Sequence, residues 1–136
     1  MTNINEPPAV GPQRNAALAE LLGWTFYGSK HEPSVGWYSP AEPEKASVWN
    51  REPPNYCGND ADCFRLLAEL NARKIRVEIL TTAVTVWLTC KNSPHYHCAV
   101  VDIDNSLPDK REALRDAITA AAWKARQAQK ESEDGK

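Results

Sequence analysis

The sequence predicts a single α+β domain in which an antiparallel β-sheet of three or four strands lies between helical layers, an α/β/α sandwich. Three observations predict this class. Residues 59–74 carry apolar side chains at three- and four-residue spacings, the period of a buried helical stripe. Three stretches rich in β-branched and aromatic residues follow, with only short turns between them. The third stretch is apolar on both faces, which favours helical cover on both sides of the sheet.

The chain begins with an arm and a short helix. Residues 1–12 contain three prolines and no periodic apolar pattern, so they are predicted to be a flexible arm. A helix is predicted at residues 13–22, and Gly23 ends it because glycine readily takes the left-handed conformation just past a helix. The apolar side of this helix consists of Ala17, Leu18, Leu21 and Leu22.

A proline-rich and aromatic-rich loop insertion is predicted at residues 28–56. Five prolines in this segment exclude a central strand or a helix. Residues 24–27 before it are compatible with one short strand, and residues 36–39 within it with another. A long irregular segment inside a compact domain is often a functional surface.

The middle helix is predicted at residues 59–74. Asn59 or Asp60 can serve as its N-cap, and acidic residues in the first turn suit the positive end of the helix dipole. Phe64 and Ala68 are expected to widen its buried side. The stripe itself consists of Cys63, Leu66, Leu67 and Leu70.

Three strands are predicted at residues 75–79, 83–90 and 95–103. Two-residue and three-residue turns separate them, so neighbouring strands are expected to pair in antiparallel fashion. In the second strand alternate residues point to opposite faces, with Val84, Val86 and Leu88 on one face.

A last helix is predicted after residue 106. Ser106 has a cap-like side chain, and Asp109 lies three residues further on, as in a capping box. The domain is expected to end at residue 127, because residues 128–136 are polar and charged and predict a disordered tail. The buried stripe consists of Leu114, Ala117, Ile118, Ala121 and Ala125, with Trp123 beside it.

Length and composition limit the classes of function. The chain has 136 residues, of which 42% are hydrophobic and 25% charged, as in ordinary globular proteins. The net charge of −2 gives no electrostatic argument for a nucleic-acid or membrane partner. No apolar run approaches the roughly 20 residues that a membrane helix needs. The four cysteines are expected to be reduced, and the protein to be cytoplasmic.

Several segments resemble a known family. They are LAELLGW at residues 18–24, PNYCGNDADCFRLLAEL at residues 54–70, the three strands, and the Ala-rich last helix. In this order they resemble the phage ABA-sandwich domain family of small bacteriophage and prophage proteins. The resemblance covers about residues 14 to 126 and rests mainly on hydrophobic landmarks.

That family has a Pro-x-Tyr-Ser-x-Asp-like entry to its middle helix. Pro54, Tyr56 and Asp60 correspond to it here, with Cys57 at the usual serine and the aspartate displaced by one or two positions. The resemblance implies a sheet with helices on both faces and a phage or prophage origin. It implies no catalytic residues.

Two groups of cysteines and histidines are candidates for a metal-binding site and for a reactive thiol site. Cys90, His95, His97 and Cys98 have zinc-ligand chemistry, but residues 95 and 97 share one strand face while 98 points to the other, so strand packing is favoured. Cys57 and Cys63 flank the start of the middle helix, where a thiol can become nucleophilic with His31, His95 or His97 as base. No catalytic-cysteine signature surrounds them, and buried packing cysteines are favoured.

Asp102 and Asp104 lie two residues apart at the end of the last strand, followed by Asp109. Carboxylates in this arrangement can hold a divalent cation. They can equally end the strand in a turn, which the neighbouring Asn105 and Ser106 favour. The sequence therefore predicts no metal and no cofactor.

The aromatic residues of the proline-rich segment are the best candidates for a binding surface. Rigid rings beside a guanidinium group recur at binding surfaces for proteins and for nucleotides. Anchoring of the loop by these same rings is the alternative explanation, and the more common one. The candidate binding residues are Trp37, Tyr38, Trp49, Arg51 and Tyr56, with Trp24 nearby.

These observations favour a non-catalytic accessory protein that binds a host or phage protein. A binder that sequesters a nucleotide-like signal from host defence is the alternative. An enzyme ranks third, because the sequence has no nucleophile–base pair, carboxylate pair or glycine-rich phosphate loop.

Overall fold

The computed structural model describes residues 6–27, 36–39, 49–89 and 96–134. Three helices and six strands lie in these ranges, which confirms the α+β class. The strands form two antiparallel sheets with the orders β1-β2-β3 and β4-β5-β6. The helices are α1 (Pro12–Leu21), α2 (Asp60–Ala72) and α3 (Lys110–Asp134), and the strands are β1 (Thr25–Tyr27), β2 (Gly36–Tyr38), β3 (Trp49–Asn50), β4 (Arg76–Ile79), β5 (Ala83–Thr89) and β6 (Tyr96–Asp102).

The first sheet combines β1, at the short strand predicted for residues 24–27, with two strands from the segment predicted as a loop, one of them at the short strand predicted for residues 36–39. β2 is its central strand and pairs with both β1 and β3, so the exclusion of a central strand here was wrong. The three residues of β2 contain no proline, and their backbone groups remain available for pairing. Much of residues 28–48, including the prolines at 33, 40 and 43, lies outside the described residues.

The second sheet matches the predicted strand trio closely. Val77, Val86 and Ala99 are aligned across β4, β5 and β6, and both pairings are antiparallel as expected. The predicted inward residues of β5 are buried, with Val84 and Val86 fully inaccessible. This face contributes to the main core together with side chains from all three helices.

The helices pack as follows: α3 against β5 and β6, α2 against β4 and α3, and α1 against α3 and β1. On the opposite face of the second sheet, Trp87 is 37% and Val100 55% exposed. The described residues therefore do not confirm the predicted sandwich with helices on both faces.

The middle helix has the predicted cap, but two of the apolar residues predicted on its buried side are exposed. Asn59 is its N-cap, and the side-chain oxygen of Asn59 accepts a hydrogen bond from the backbone N–H of Asp62 at 3.0 Å. Cys63, Leu66 and Leu70 are buried as expected. Phe64, however, is 70% exposed, and Ala68 is exposed too, so their predicted place on the buried side was wrong. They extend the stripe on the side of α2 that faces away from the core.

The last helix differs from the prediction at both ends. Asp109, not Ser106, receives the first helical N–H groups, from Arg111 at 2.9 Å and Glu112 at 3.3 Å. At its other end α3 continues to Asp134, so the expected disordered tail from residue 128 is wrong. At the other terminus residues 6–11 are irregular, and α1 already includes Pro12 of the predicted arm. The buried stripe of α3 is confirmed at Ala117, Ile118, Ala121 and Ala125, and Trp123 is buried beside it.

Candidate functional site

Residues 50–55, from the last residue of β3 toward α2, form a mostly exposed segment, which we call the ridge. Arg51 and Glu52 are exposed, and Pro53 and Pro54 are half-buried. One open groove lies on each side of the ridge, and ridge residues contribute to both. Two consecutive prolines restrict the backbone here, because their rings fix φ.

Side-chain hydrogen bonds from Asn55 and Asn15 fix the ridge to the body of the domain. The Asn55 side-chain oxygen accepts hydrogen bonds at 3.0 Å from Asn15 Nδ2 and from the Gly58 backbone N–H. The Asn15 side-chain oxygen accepts one at 3.0 Å from the Cys57 backbone N–H. Because Asn15 lies on α1 and is 7% exposed, these bonds join the ridge to a buried position of the first helix.

The groove on one side, which we call the Trp24 groove, has a volume of about 630 Å³. Trp24 is half-buried in its wall, and the exposed side chains of Arg51 and Arg65 border it. Asp62 lies in the same groove, where one carboxylate oxygen is 3.6 Å from the Arg65 guanidinium and the other accepts the Asn55 N–H. The groove thus combines an indole ring with two guanidinium groups, and its Asp62 carboxylate already has one hydrogen-bond donor and one ion-pair partner.

The groove on the other side has a volume of about 580 Å³ and reaches the start of α1. Trp37 forms part of its wall and is 8% exposed. The Trp37 ring packs against Phe26, with 5.2 Å between ring centroids and 60° between ring planes. Trp37 is therefore mainly a packing residue of the first sheet, although it also lines the groove.

The predicted binding residues divide between surface and core. Arg51 and Trp37 border the grooves on the two sides of the ridge. Tyr38 is 39% exposed on β2. Tyr56 is 3% exposed and belongs to the core, and burial raises the pKa of its hydroxyl above the ordinary value. The side chain of Trp49 lies outside the described residues.

Sequence reasoning missed three residues that shape this surface. Asn15 and Asn55 were not selected because a hydrogen bond between residues 40 positions apart leaves no local pattern. Arg65 was not selected either, because its place outside the predicted buried stripe of α2 does not reveal its neighbour across the groove, Arg51. A buried polar residue in a helix is the signal that identifies Asn15, and only burial in the folded chain provides it.

Beneath the ridge, Arg14 joins the N-terminal segment to α3. Its Nε donates to the Pro8 carbonyl at 2.9 Å, and its Nη1 donates to the Asp116 carbonyl and the Thr119 hydroxyl, both at 3.1 Å. Burial lowers the pKa of Arg14. Burial also raises the pKa of Asp116, whose buried Oδ1 has no hydrogen-bond partner in the structure. The hydrogen bonds of Arg14 connect the N-terminal segment, α1 and α3, so this cluster is a structural joint.

The described contacts of Cys57, Cys63 and Asp104 match the packing and turn roles that the sequence favoured. Burial raises the pKa of Cys63 to about 11, so its thiol is protonated at neutral pH. Cys57 is 5% exposed, and its sulfur lies 4.0 Å from the Thr119 hydroxyl. Asp104 accepts hydrogen bonds from both the backbone and the hydroxyl of Ser106, as in the predicted turn, and these bonds lower its pKa.

The histidine-containing candidates lie outside the described part of the chain. His31, Cys90 and His95 are not described, and neither are the side chains of His97 and Cys98. In the ranges that the structure does describe, no group of three or more His, Cys, Asp or Glu residues could hold a metal ion. The same ranges contain no helix long and apolar enough to cross a membrane.

A third groove, which we call the α2–α3 groove, lies away from the ridge. Its volume is about 390 Å³, and its lining is mostly apolar. Phe64 forms part of its rim. At one end the Arg115 guanidinium donates to the Cys57 carbonyl at 3.0 Å and pairs with the Asp60 carboxylate. The groove is lined by Asp60, Cys63, Phe64, Leu67, Ile79, Arg111, Leu114, Arg115 and Ile118.

Comparison of the chain with family models, with curated proteins and with solved structures gives no match. The resemblance to the phage ABA-sandwich domain family therefore stays a prediction. Functional inference for this chain depends on the geometry of its own surfaces.

Proposed function

We propose that this chain is a small non-catalytic accessory protein of phage or prophage origin, which acts in the host cytoplasm by binding a protein partner through the ridge and its flanking grooves. The observation that carries the proposal is the anchoring of an exposed, arginine-bearing ridge by hydrogen bonds to the buried Asn15. A surface held in one conformation loses little conformational entropy on binding, which favours affinity. The phage origin rests on the sequence resemblance alone.

The chemistry of the Trp24 groove suits a protein segment. Tryptophan and arginine are the side chains most often found at the energetic centres of protein interfaces. Arg51 and Arg65 border the groove from two different elements, so one partner carboxylate or backbone carbonyl can contact both the ridge and α2. Trp24 adds an apolar ring to the lining of the same groove.

The test is a binding measurement with charge-reversed variants. Tagged wild-type protein and an Arg51→Glu/Arg65→Glu variant are used as baits in host extract, and recovered proteins are quantified. We expect the variant to recover at least about tenfold less of the specific partner than the wild type does. This decrease corresponds to roughly 1.4 kcal/mol of binding free energy. Arg76→Glu is the control, because the Arg76 side chain is 78% exposed on the second sheet, away from the ridge.

Equal recovery of every protein by the three baits, with unchanged melting temperatures, would exclude the ridge as the binding surface. Trp37→Ala is a poorer probe than the sequence suggested. Because Trp37 packs against Phe26, its loss is expected to destabilise the first sheet as well as alter the groove.

A nucleotide-like ligand is the second candidate, favoured by the indole ring and the two guanidinium groups around one groove. Aromatic rings stack on bases, and guanidinium groups pair with phosphates. Protein purified from its host would then carry an ultraviolet absorbance beyond that of its own aromatic residues, which persists through gel filtration. Absence of that excess absorbance, together with no thermal shift on adding nucleotides, would eliminate this candidate.

A further inference from the structure

The last strand, β6, forms one edge of the second sheet, and half of its backbone groups point away from the sheet. The Ile103 N–H donates to the Thr82 carbonyl at 2.9 Å, so residue 103 faces β5. Residues of an antiparallel strand alternate between its two sides, and the odd-numbered residues of β6 therefore bond to β5. The N–H and C=O groups of residues 96, 98, 100 and 102 point outward. Among the described helices and strands β6 contacts only β5 and α3, so no described strand pairs with this edge.

The two edges of this sheet differ in their protection against pairing. β4, at the opposite edge, has four residues, contacts α2 and carries an exposed ion pair between Arg76 and Glu78. Short length, charged side chains and cover by a helix all prevent an edge strand from pairing with another chain. β6 has seven residues, contains no proline, glycine, lysine or arginine, and has its one acidic residue, Asp102, at its last position. β6 is therefore open to a further strand.

The core is also less complete at this edge. In β5 the inward residues Val84 and Val86 are fully inaccessible, whereas their neighbours in β6, Val101 and Ala99, are only half-buried. On the other face of β6, Val100 is 55% exposed. One exposed valine is ordinary. Apolar residues that are partly open on both faces of an unpaired strand are instead what a strand added beside β6 would cover.

A second copy of β6 fits this edge in a self-complementary register. Outward-facing residues must pair with outward-facing residues, and a two-fold axis beside Ala99 then aligns all seven residues of two antiparallel β6 strands. In this register every outward N–H and C=O group has a partner. Position 100 of each strand lies opposite position 98 of the other, and Asp102 lies opposite Tyr96. The two Asp102 residues are thus at opposite ends of the strand pair, so no like charges face each other.

From these observations we infer that the protein forms a two-fold symmetric dimer by antiparallel pairing of β6 with β6 of a second copy, which joins the two second sheets into one continuous sheet. Strand addition at a sheet edge gains main-chain hydrogen bonds, and here it also covers apolar residues on both faces. The inference does not depend on the proposed function. Among the described residues, the linings of the two grooves beside the ridge include none from the second sheet, so the two surfaces are separate.

Sedimentation equilibrium of the full chain, over a wide range of concentration, tests the inference. We expect a mass that approaches twice the 15.2 kDa of the chain as concentration rises. Val100→Pro removes one outward N–H from each subunit and should raise the dimer dissociation constant by at least about tenfold, because symmetry doubles the loss. Val100→Lys keeps that N–H but places two cations close to the two-fold axis, and it should weaken the dimer by a similar factor.

Ile79→Pro is the matched control at the opposite edge of the same sheet. The Leu80 N–H donates to the Ala83 carbonyl, so the Ile79 N–H points away from β5, and its loss should leave the dimer unchanged. Circular dichroism confirms that each variant folds. If Val100→Pro does not fold, Val100→Lys retains the test, because the side chain at position 100 is exposed.

Hydrogen exchange followed by NMR gives an independent readout of the same pairing. As concentration rises, exchange of the outward amides of Cys98, Val100 and Asp102 should slow by at least about tenfold. The amides of residues 99 and 101 already bond to β5 and should change less. A monomer at every concentration overturns the inference, even if another protein binds this edge. A dimer that persists in both Val100 variants also overturns it, as does one that Ile79→Pro disrupts equally strongly.

Discussion

The position of the ridge depends on a few amide side chains. Asn15 donates to Asn55 and accepts from the Cys57 backbone, so it joins α1 to the segment before α2. The sequence showed a helix here but not this role, because Asn15 is polar and the apolar side of α1 was assigned from its alanines and leucines. Asparagine is also an average helix former, so its presence carries no strong local signal.

Asn15→Ala is expected to lower the free energy of unfolding by about 1–3 kcal/mol, because it leaves the buried Cys57 N–H without an acceptor. Urea denaturation followed by circular dichroism measures this loss. Gln13→Ala on the same helix is the control, since Gln13 is exposed, and it should change stability by less than about 0.5 kcal/mol. Equal effects of the two substitutions would contradict the assigned role of Asn15.

Leu66 and Leu67 of α2 show how precisely the sequence predicts the buried stripe of a helix. The sequence grouped Leu66 and Leu67 together, but Leu66 is fully buried whereas Leu67 is half-buried at the α2–α3 groove. Leu66→Ala should therefore cost about 2–5 kcal/mol of stability, and Leu67→Ala clearly less. Urea denaturation of both variants measures the difference. A larger loss for Leu67→Ala would mean that the face of α2 toward the core is misassigned.

At the scale of elements, prediction succeeded where the pattern is local. Strands β4 to β6 were found because β-branched residues alternate there and short turns separate them. β3 was missed because a two-residue strand has no period, and its pairing with β2 is set by partners distant in sequence. The end of α3 was missed because its last turns are polar, and contacts with α2 support them.

One hydrogen bond and one apolar contact near the end of α3 show how tertiary structure extends this helix. Gln129 Nε2 donates to the Arg73 carbonyl at 2.9 Å, next to the end of α2, and Ala128 packs against the core. A chain that ends after Gln127 should therefore lose about 1–3 kcal/mol of stability. A chain that ends after Lys130 retains both contacts and should match the full-length protein. Thermal denaturation compares the three chains, and indistinguishable melting temperatures would mean that the tail is dispensable.

At the scale of the whole molecule, the sequence predicted the class, whereas the described residues do not confirm the layer arrangement. Apolar residues on both faces of β6 indicated two covered faces, yet on the face of the second sheet opposite the core Val100 is 55% exposed. Hydrophobicity reports a tendency to be buried and does not identify the element that covers a face. Exposed apolar area of this kind is common on folded proteins.

The stability of the whole molecule should be independent of metals and reductant. The two described cysteines with known side-chain positions, Cys57 and Cys63, are free and buried. We expect a chelator or a thiol reductant to leave the melting temperature unchanged in differential scanning calorimetry. A marked decrease on chelation would instead support zinc binding by Cys90, His95, His97 and Cys98.

Alkaline pH should destabilise the fold through Cys63 and Tyr56 in the core. Burial raises the pKa of Cys63 from 9.0 to about 11, and burial raises the pKa of Tyr56 too. As pH rises from about 9 to 11, the unfolded chain therefore releases protons that the folded chain retains, and the free energy of unfolding falls. The Cys63 contribution is about 2 kcal/mol, fully present below pH 9 and lost by about pH 11.

Urea denaturation at a series of pH values measures this loss. Each protein is compared with its own stability at about pH 8, so that packing differences between variants cancel. Cys63→Ala and Tyr56→Phe each remove one titrating group and should make the decline shallower, and the double variant should make it shallower still. If both single variants lose as much stability as the wild type between about pH 9 and 11, the alkaline transition belongs to other groups.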